Sequence, residues 1–227
     1  MENKGNYKNK SFISKENVAT LFESRFIRVF DLQYAPGKHY YDATRRKIDD
    51  LVALKSEEEF RAMLPDAVSC VVILDMPDGP KLLLSYEFRY PAGQYLLSVP
   101  AGLIDETDKE AENPLFSTAI REIEEETGLK VCETDTLATV SPLLFSTPGM
   151  TDESNALVCA VLRSADISGL SQEGASGSEK FSGFALLTKD EATELLKKGC
   201  DEAGNYYSIF TWAALMYFVS GLWKQGE

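Results

Sequence analysis

Residues 121–129 read Arg-Glu-Ile-Glu-Glu-Glu-Thr-Gly-Leu, and the chemistry that this chain can perform is concentrated there. On a helix, Glu122, Glu125 and Glu126 fall at i, i+3 and i+4, so the three carboxylates share one face. Phe116, Ala119, Ile120 and Ile123 follow the same period and predict an apolar stripe beside them. One side of the helix can then bury while another presents acids to a cleft. Like charges on one turn repel by about a few tenths of a kcal/mol per pair. A hard divalent cation with oxygen ligands reverses that sign; Mg²⁺ is the usual candidate and Mn²⁺ its substitute. Arg121 and Glu125 are also i, i+4 and can pair, which fixes one carboxylate. A Glu-rich helix taken alone is more often a plain solvated face, so the surrounding residues have to decide.

The stretch Val99-Pro100-Ala101-Gly102-Leu103-Ile104-Asp105 reads as a strand end that feeds a glycine loop with exposed backbone carbonyls. This loop and the acidic helix together resemble the Nudix box of the Nudix hydrolases: Gly, five residues, Glu, seven residues, then Arg-Glu-U-x-Glu-Glu-x-Gly-U, with U aliphatic. The second half matches at every fixed position. The first half departs from it, because Gly102 lies nineteen positions before Arg121 where the pattern has fourteen. Counted forward from Gly102, the first box glutamate falls on Asp108; counted back from Arg121, it falls on Asn113. Asn113-Pro114 reads better as an N-cap followed by a proline at the first helical position. The five extra residues are therefore expected in the loop at about 106–112, with no residue taking the first glutamate's part in anchoring that loop.

These residues need a scaffold, and the pattern of the chain predicts one. Phe26 to Tyr34 reads as a strand or bent pair, with a turn at Pro36-Gly37 and a short helix from Glu57 to Leu64. Val68 to Asp75 and Lys81 to Phe88 flank Pro77-Asp78-Gly79-Pro80, a hairpin signal. Leu96 to Val99 enters the glycine loop, and the box helix should run over 114–127. Further strands are expected at Leu137 to Val140, Asn155 to Leu162 and Phe184 to Leu187, and helices at Asp190 to Lys198 and Tyr206 to Leu222. Residues 1–20 are polar and predicted frayed, and 164–180, rich in Ser and Gly, predict a mobile loop. Mixed strands with segregated helices make the fold class α+β. The resemblance implies an α/β/α sandwich on a mixed sheet, preceded by a β-rich N-terminal extension. The expected division is 1–56 for that extension, a dimerisation region, and 57–227 for the catalytic domain. Strand signal in 24–56 beyond the needs of a catalytic domain predicts a homodimer, since bare strand edges invite pairing.

Composition excludes several function classes. The chain has 227 residues, 44% hydrophobic and 26% charged, with a net charge of −13. That charge argues against nucleic acid as a partner, because phosphate backbones require clustered Lys and Arg. Apolar runs stay short of a membrane span, and the polar start lacks the core of a signal peptide. Cys70, Cys132, Cys159 and Cys200 have no paired spacing, so disulfides and zinc are not expected, and the location predicted is the cytoplasm.

Two further segments narrow the resemblance to ADP-ribose pyrophosphatases. One is Glu87-Phe88-Arg89-Tyr90-Pro91 before the box. The other runs from Ser141-Pro142 through Pro148-Gly149-Met150 to Glu153, although Pro148 lies nineteen residues after Leu129, beyond the usual spacing. The resemblance implies hydrolysis of a pyrophosphate bond, ADP-ribose to AMP and ribose 5-phosphate. Glu122, Glu126 and the Ala101 carbonyl would ligate the metal, Glu125 would ligate or orient, and Arg121 would orient Glu125. Arg89, Pro148 and Gly149 would contact substrate. The subfamily takes its base from a loop before a late strand, here 170–182, which makes Glu179 the first candidate and Glu173 the second. Arg45 and Arg46 are basic residues that a phosphate would attract but are expected to be solvated, and the single histidine, His39, is expected at the surface. Tyr206, Tyr207, Phe210, Trp212, Met216 and Phe218 should be core, and an adenine would stack on Phe26, Phe30 or Tyr40. The alternatives are a pyrophosphatase for another nucleoside diphosphate sugar and a Nudix module that senses a nucleotide without cleaving it.

Overall fold

The structure is a computed structural model and describes residues 13–163, 166–174 and 179–226. The chain divides into two compact units, Met1–Leu64 with Phe145–Ser154, and Pro65–Leu144 with Asn155–Glu227.

In the first unit, β1 (Val18–Glu23), β2 (Arg28–Ala35) and β3 (Lys38–Thr44) form an antiparallel sheet in that order. The β2–β3 hairpin turns at Pro36-Gly37, where Gly37 has φ of 66°, a conformation that favours glycine. Phe30 and Leu32 bury against Leu51 in a small core. Helix α1 (Glu57–Ala62) starts at a capping box made by Ser56 and Glu59. The 145–154 segment is tied in by Asp152, which accepts hydrogen bonds from Thr44 Oγ1 at 2.5 Å and the Val52 N–H at 3.0 Å. Its own N–H donates to Asp42 Oδ1 at 3.0 Å. The strands at 18–23 and 38–44 extend the strand signal predicted for this region, and the first of them falls partly within the residues expected to fray. The remainder of that expectation, residues 1–12, lies outside the described residues.

The second unit contains β4 (Ala67–Leu74), β5 (Lys81–Arg89), β6 (Gln94–Ser98), β7 (Ala101–Leu103), α2 (Glu106–Lys109), α3 (Pro114–Thr127), β8 (Thr136–Phe145), β9 (Ser154–Leu162), β10 (Phe181–Leu187), α4 (Lys189–Lys198) and α5 (Ile209–Ser220). The sheet runs β10-β5-β4-β9-β8, with β6 paired to β5 and β7 to β4. It is mixed, since β4 and β9 are parallel while β4 and β5 are antiparallel. Every residue of β4 is buried, as a central strand covered on both faces requires. On one face Val68, Cys70, Val72 and Leu83 pack with Ala119 and Ile123 of α3. On the other, Val71, Ile73, Leu82 and Leu84 pack with Leu195 of α4 and with Leu215 and Phe218 of α5. The result is the helix–sheet–helix sandwich that the resemblance implies, in the α+β class.

Helix α3 forms where local sequence demands it. The Asn113 side chain accepts from the Phe116 N–H at 3.2 Å, Pro114 takes the first turn, and Gly128 ends the helix at φ of 72°. Ile123 is fully buried, which stabilises the packing by about 1.5–3 kcal/mol. The apolar stripe is narrower than predicted: Ala119 and Ile123 meet the sheet, whereas Ile120 is 36% exposed. The final helix starts at Ile209, after Tyr206 and Tyr207, and buries only one side. Thr211, Ala214, Leu215 and Phe218 turn inward, while Tyr206, Trp212 and Met216, expected as core, are exposed. The predicted mobile loop is described only in part, with 164, 165 and 175–178 outside the described residues. Within it, Ile167–Gly169 forms a 3₁₀ turn, and the Ser171 N–H donates to the Thr127 carbonyl at 2.9 Å, which fastens this stretch to the end of α3. Among the described residues no helix is long and apolar enough to cross a membrane, and the four cysteines carry no disulfide.

Candidate active site

Arg121 is the hub of the site. Its Nη1 donates to Glu122 Oε1 at 2.6 Å and to Glu125 Oε2 at 3.2 Å, so the i, i+4 pair predicted from spacing is present. Its Nη2 donates to Asp108 Oδ2 at 2.8 Å and to the Leu103 carbonyl at 2.9 Å. Asp108 is 3% exposed and also accepts from Ser117 Oγ at 2.8 Å. Burial pushes the Asp108 carboxyl up, but the hydrogen bonds from Arg121 and Ser117 outweigh it and hold the group below the usual carboxylate range. Asp108 also closes a capping box with Asp105 at the start of α2. The expectation that no residue anchors this loop is thus corrected: Asp108, the residue reached by counting forward from Gly102, ties it to Arg121. By the forward count the extra residues follow Asp108, within the later part of the predicted 106–112.

Close approach explains Gly102. A Cβ at this position would stand 1.8 Å from Glu122 Oε1, so only glycine leaves room for that carboxylate above the loop. Glu122 and Glu126 are 6% and 4% exposed, and Glu125 is half-exposed. The contact from Ala101 is its N–H, which donates to Glu126 Oε1 at 3.4 Å. Glu124 lies on the outer side near Lys130, with 3.7 Å between charged atoms.

The electrostatics of these acids reach beyond the helix. Burial is the main cause that raises the pKa of Glu122, with Arg121 opposing and Glu125 and Glu179 adding. Glu126 is pushed up to about 9, first by burial, then by the charges of Glu87 and Glu122. Glu87, on β5, is 6% exposed; burial raises its pKa, Arg89 and Ser98 oppose, and Glu179 adds. Glu179, the predicted base, is exposed, and its charge is the smallest of the causes acting on Glu87, Glu122 and Glu126. Sequence reasoning did not anticipate that Glu87 is buried. The available signal was alternation on β5, where Leu83, Ser85 and Glu87 share a face.

Among the described residues, no group of three His, Cys, Asp or Glu side chains is arranged to hold a metal ion. Arg121 draws Glu122 and Glu125 towards itself, and the Ala101 N–H engages Glu126. The donor set is nonetheless all oxygen, with glycine left open beneath Glu122, and that chemistry suits a hard divalent cation.

The remaining candidates are distributed as follows. Arg89 pairs with Glu87 Oε2 at 2.6 Å and keeps its side chain 47% exposed. Glu173 is exposed and sits two residues after Ser171, whose Oγ accepts from its N–H at 3.2 Å. Pro148 and Gly149 belong to the N-terminal unit, where Tyr40 donates to the Gly149 carbonyl at 3.1 Å. Arg45 pairs with Glu153 at 2.9 Å and Arg46 with Asp152 at 3.6 Å. His39 meets Asp31 at 2.8 Å. Phe30 is 1% exposed, so its proposed stacking role is corrected: it belongs to the small core, whereas Phe26 and Tyr40 are exposed.

The Nudix domain family matches residues 63–208, and the chain belongs to that family. It is 33% identical over 105 residues to the ADP-ribose pyrophosphatase of Saccharomyces cerevisiae, covering 45% of this chain and 40% of that protein. It is 30% identical over 127 residues to the ADP-sugar pyrophosphatase of Mus musculus, covering 56% and 54%. The chain thus spans about half, or less, of these curated relatives. Among solved structures, an ADP compounds hydrolase superposes with a TM-score of 0.54 over 92% of both chains at 19% identity, a likeness of fold.

Proposed function

We propose that this chain hydrolyses the pyrophosphate bond of a nucleoside diphosphate linked to a further moiety, with ADP-ribose, split to AMP and ribose 5-phosphate, as first substrate and Mg²⁺ or Mn²⁺ as cofactor. The observation that carries this reading is the set of buried carboxylates on α3 facing an open glycine, in a family with members named for such substrates. Glu122, Glu126 and the Ala101 carbonyl would hold the cation, and Glu125 would ligate or orient. When bound, the cation supplies charge stabilisation for the phosphoryl oxygens and lowers the pKa of water. Arg121 keeps Glu122 and Glu125 in place and ties both to the glycine loop through Asp108. Glu179 accepts the proton of the attacking water as its oxygen bonds to phosphorus and the bridging P–O bond breaks. Arg89, exposed beside Glu87, contacts the substrate.

The same reading includes a homodimer. Its support is the N-terminal sheet, on and beside which Leu21, Phe22, Phe26, Ile27 and Tyr34 are exposed. A sedimentation mass near that of one 25.2 kDa chain at micromolar concentration would count against it.

Purified protein should release AMP from ADP-ribose with Mg²⁺, lose that activity in EDTA, and rank ADP-ribose first in a panel of nucleoside diphosphate sugars. Failure to cleave any member of the panel with Mg²⁺ or Mn²⁺ would refute the hydrolase. A better rate on another sugar would move the substrate within the class.

A further inference from the structure

We propose that Gln172 is a positioning residue for the base: it secures a β-bulge at Gly183 that turns Glu179, and not Lys180, towards the side of the sheet where the acids of α3 lie. The inference rests on the hydrolase reading above, in which Glu179 takes the proton of the attacking water. Register comes first. In the pairing of β10 with β5, Phe184 and Leu186 stand opposite Ser85 and Leu83, while Phe181 stands opposite Glu87. From Phe184 back to Phe181 the chain takes three steps where β5 takes two from Ser85 to Glu87, so β10 carries one extra residue. Side chains alternate along a strand, and one added residue exchanges the two faces for everything beyond it. Phe184 and Leu186 pack against the core that holds Ala119 and Ile123 of α3. Without the extra residue that face would continue through Ser182 and Lys180. With it, the face passes to Phe181, opposite Glu87, and by alternation to Glu179. Lys180 falls on the other face, where its Nζ lies 5.3 Å from the centre of the Phe88 ring and 5.9 Å from that of Tyr95. The Lys180 carbonyl accepts from the Phe88 N–H at 2.8 Å, so the pairing runs up to the residue next to Glu179.

A bulge leaves backbone groups without ladder partners, and Gln172 takes up both of those on Gly183. Gly183 has φ of 97°, and a Cβ there would meet nothing within 4 Å, so glycine is required by the backbone alone. Its N–H donates to Gln172 Oε1 at 2.9 Å, and its carbonyl accepts from Gln172 Nε2 at 3.2 Å. A side-chain amide accepts at one atom and donates at the other, which neither a carboxylate nor an ammonium group can do. Gln172 is in turn fixed to α3. On one side of it the Ser171 N–H donates to the Thr127 carbonyl at 2.9 Å. On the other, Gly174 lies so close to the helix that a Cβ would stand 2.4 Å from the Glu125 carbonyl oxygen. The bulge is therefore tied, through one amide, to the end of the helix that carries Glu122, Glu125 and Glu126. A catalytic group works only when held to within about 0.5 Å of its productive place, and this clamp sets base and acids in one frame.

The test is turnover of ADP-ribose with Mg²⁺, together with Mn²⁺ binding followed by EPR, on the full chain. The variants are Gln172→Leu, Gly183→Ala, Glu179→Gln and the pair Gln172→Leu with Glu179→Gln, with folding checked by circular dichroism. Gln172→Leu removes both hydrogen bonds, and Gly183→Ala disfavours the bulge through φ. Each should lower kcat at least about tenfold, part of what a general base contributes, with KM and Mn²⁺ affinity within about twofold of wild type. In the paired variant Gln172→Leu should cost less than about twofold beyond Glu179→Gln, because both changes act through one group. Losses that multiply in the paired variant, or Mn²⁺ affinity that falls in step with kcat, would overturn the proposal and leave Gln172 a residue of the fold. Normal turnover in Gln172→Leu, Gly183→Ala or Glu179→Gln overturns it too. Should Gln172→Leu fail to fold, Gly183→Ala with and without Glu179→Gln decides by the same criteria. A wild-type chain that cleaves no nucleotide refutes the hydrolase reading and this proposal together, whereas wild-type turnover that the clamp variants leave intact refutes this proposal alone.

Discussion

Gly102→Ala separates the cost of a side chain to the fold from its cost to the site. A Cβ at this position would lie 1.8 Å from Glu122 Oε1, against 3.4 Å for ordinary contact, so the carboxylate must retreat by about 1.6 Å. The obstructing atoms are the far end of a flexible side chain, which can turn away without moving α3. Stability should therefore fall by no more than about 1 kcal/mol, the lower end of the range for overpacking. The site loses more. A retreat of that size breaks the 2.6 Å bond from Arg121 Nη1 and takes Glu122 out of register with Glu126. A misplacement of about 1 Å at a reacting centre costs on the order of a hundredfold. Thermal unfolding and Mn²⁺ titration on the same preparation, with kcat for ADP-ribose, will read both effects. The expected result is a melting temperature within a few degrees of wild type, Mn²⁺ affinity down at least about tenfold and kcat down about a hundredfold. A variant with wild-type affinity and turnover would refute the claim that Glu122 lies against Gly102 in the working site, and would also weaken its assignment as a ligand.

Three further outcomes follow from the same geometry. Asp108→Ala removes one of two buried carboxylates from Arg121, which keeps Glu122, and should destabilise the chain by about 1.5–3 kcal/mol, the range for a hydrogen bond to a charged group. Asp108→Glu should recover part of this, and a loss below about 1 kcal/mol in a melt would show that Asp108 does not anchor the loop. Asp42 is an acid whose folded pKa is raised from 3.8 to about 6 by burial and by Asp152, so its protonated form favours the fold, and that contribution is fully present below 3.8 and lost as pH rises to 6. The full shift is worth about 3 kcal/mol; allowing for water access, Asp42→Asn should gain about 1–2 kcal/mol at pH 7.5, with the gain fading towards pH 4. Unfolding curves at both pH values check this, and a gain independent of pH would disprove the titration argument. Glu179→Gln should lower kcat much more than it raises KM, since a base acts mainly in the transition state. Normal turnover in Glu179→Gln with a dead Glu173→Gln would transfer the role to Glu173.

What was legible in the sequence and what was not divide along the range of the interactions involved. Helix α3 was read nearly to its ends, because Asn113, Pro114 and Gly128 act within a few residues and Glu122, Glu125 and Glu126 share a face by the helical period alone. The Arg121–Glu125 pair followed from the same period. Asp108 was ambiguous because five extra residues broke the spacing, and only its contacts with Arg121 and Ser117, nine or more residues away, settle what it does. The closing helix α5 is apolar around most of its circumference, so no period told Trp212 and Met216 from Leu215 and Phe218; packing against the sheet made that choice. Glu87 shows the limit most clearly. A strand residue acquires a face only once its neighbours pair, and this one is buried by β6 on one side and β10 on the other, through registers that set Glu87 opposite Leu96 and Phe181. Read as part of Tyr86-Glu87-Phe88-Arg89, it is one charge in an aromatic strand. Paired on both sides within the sheet, it becomes a buried acid held against Arg89, a state that no stretch of local sequence announces.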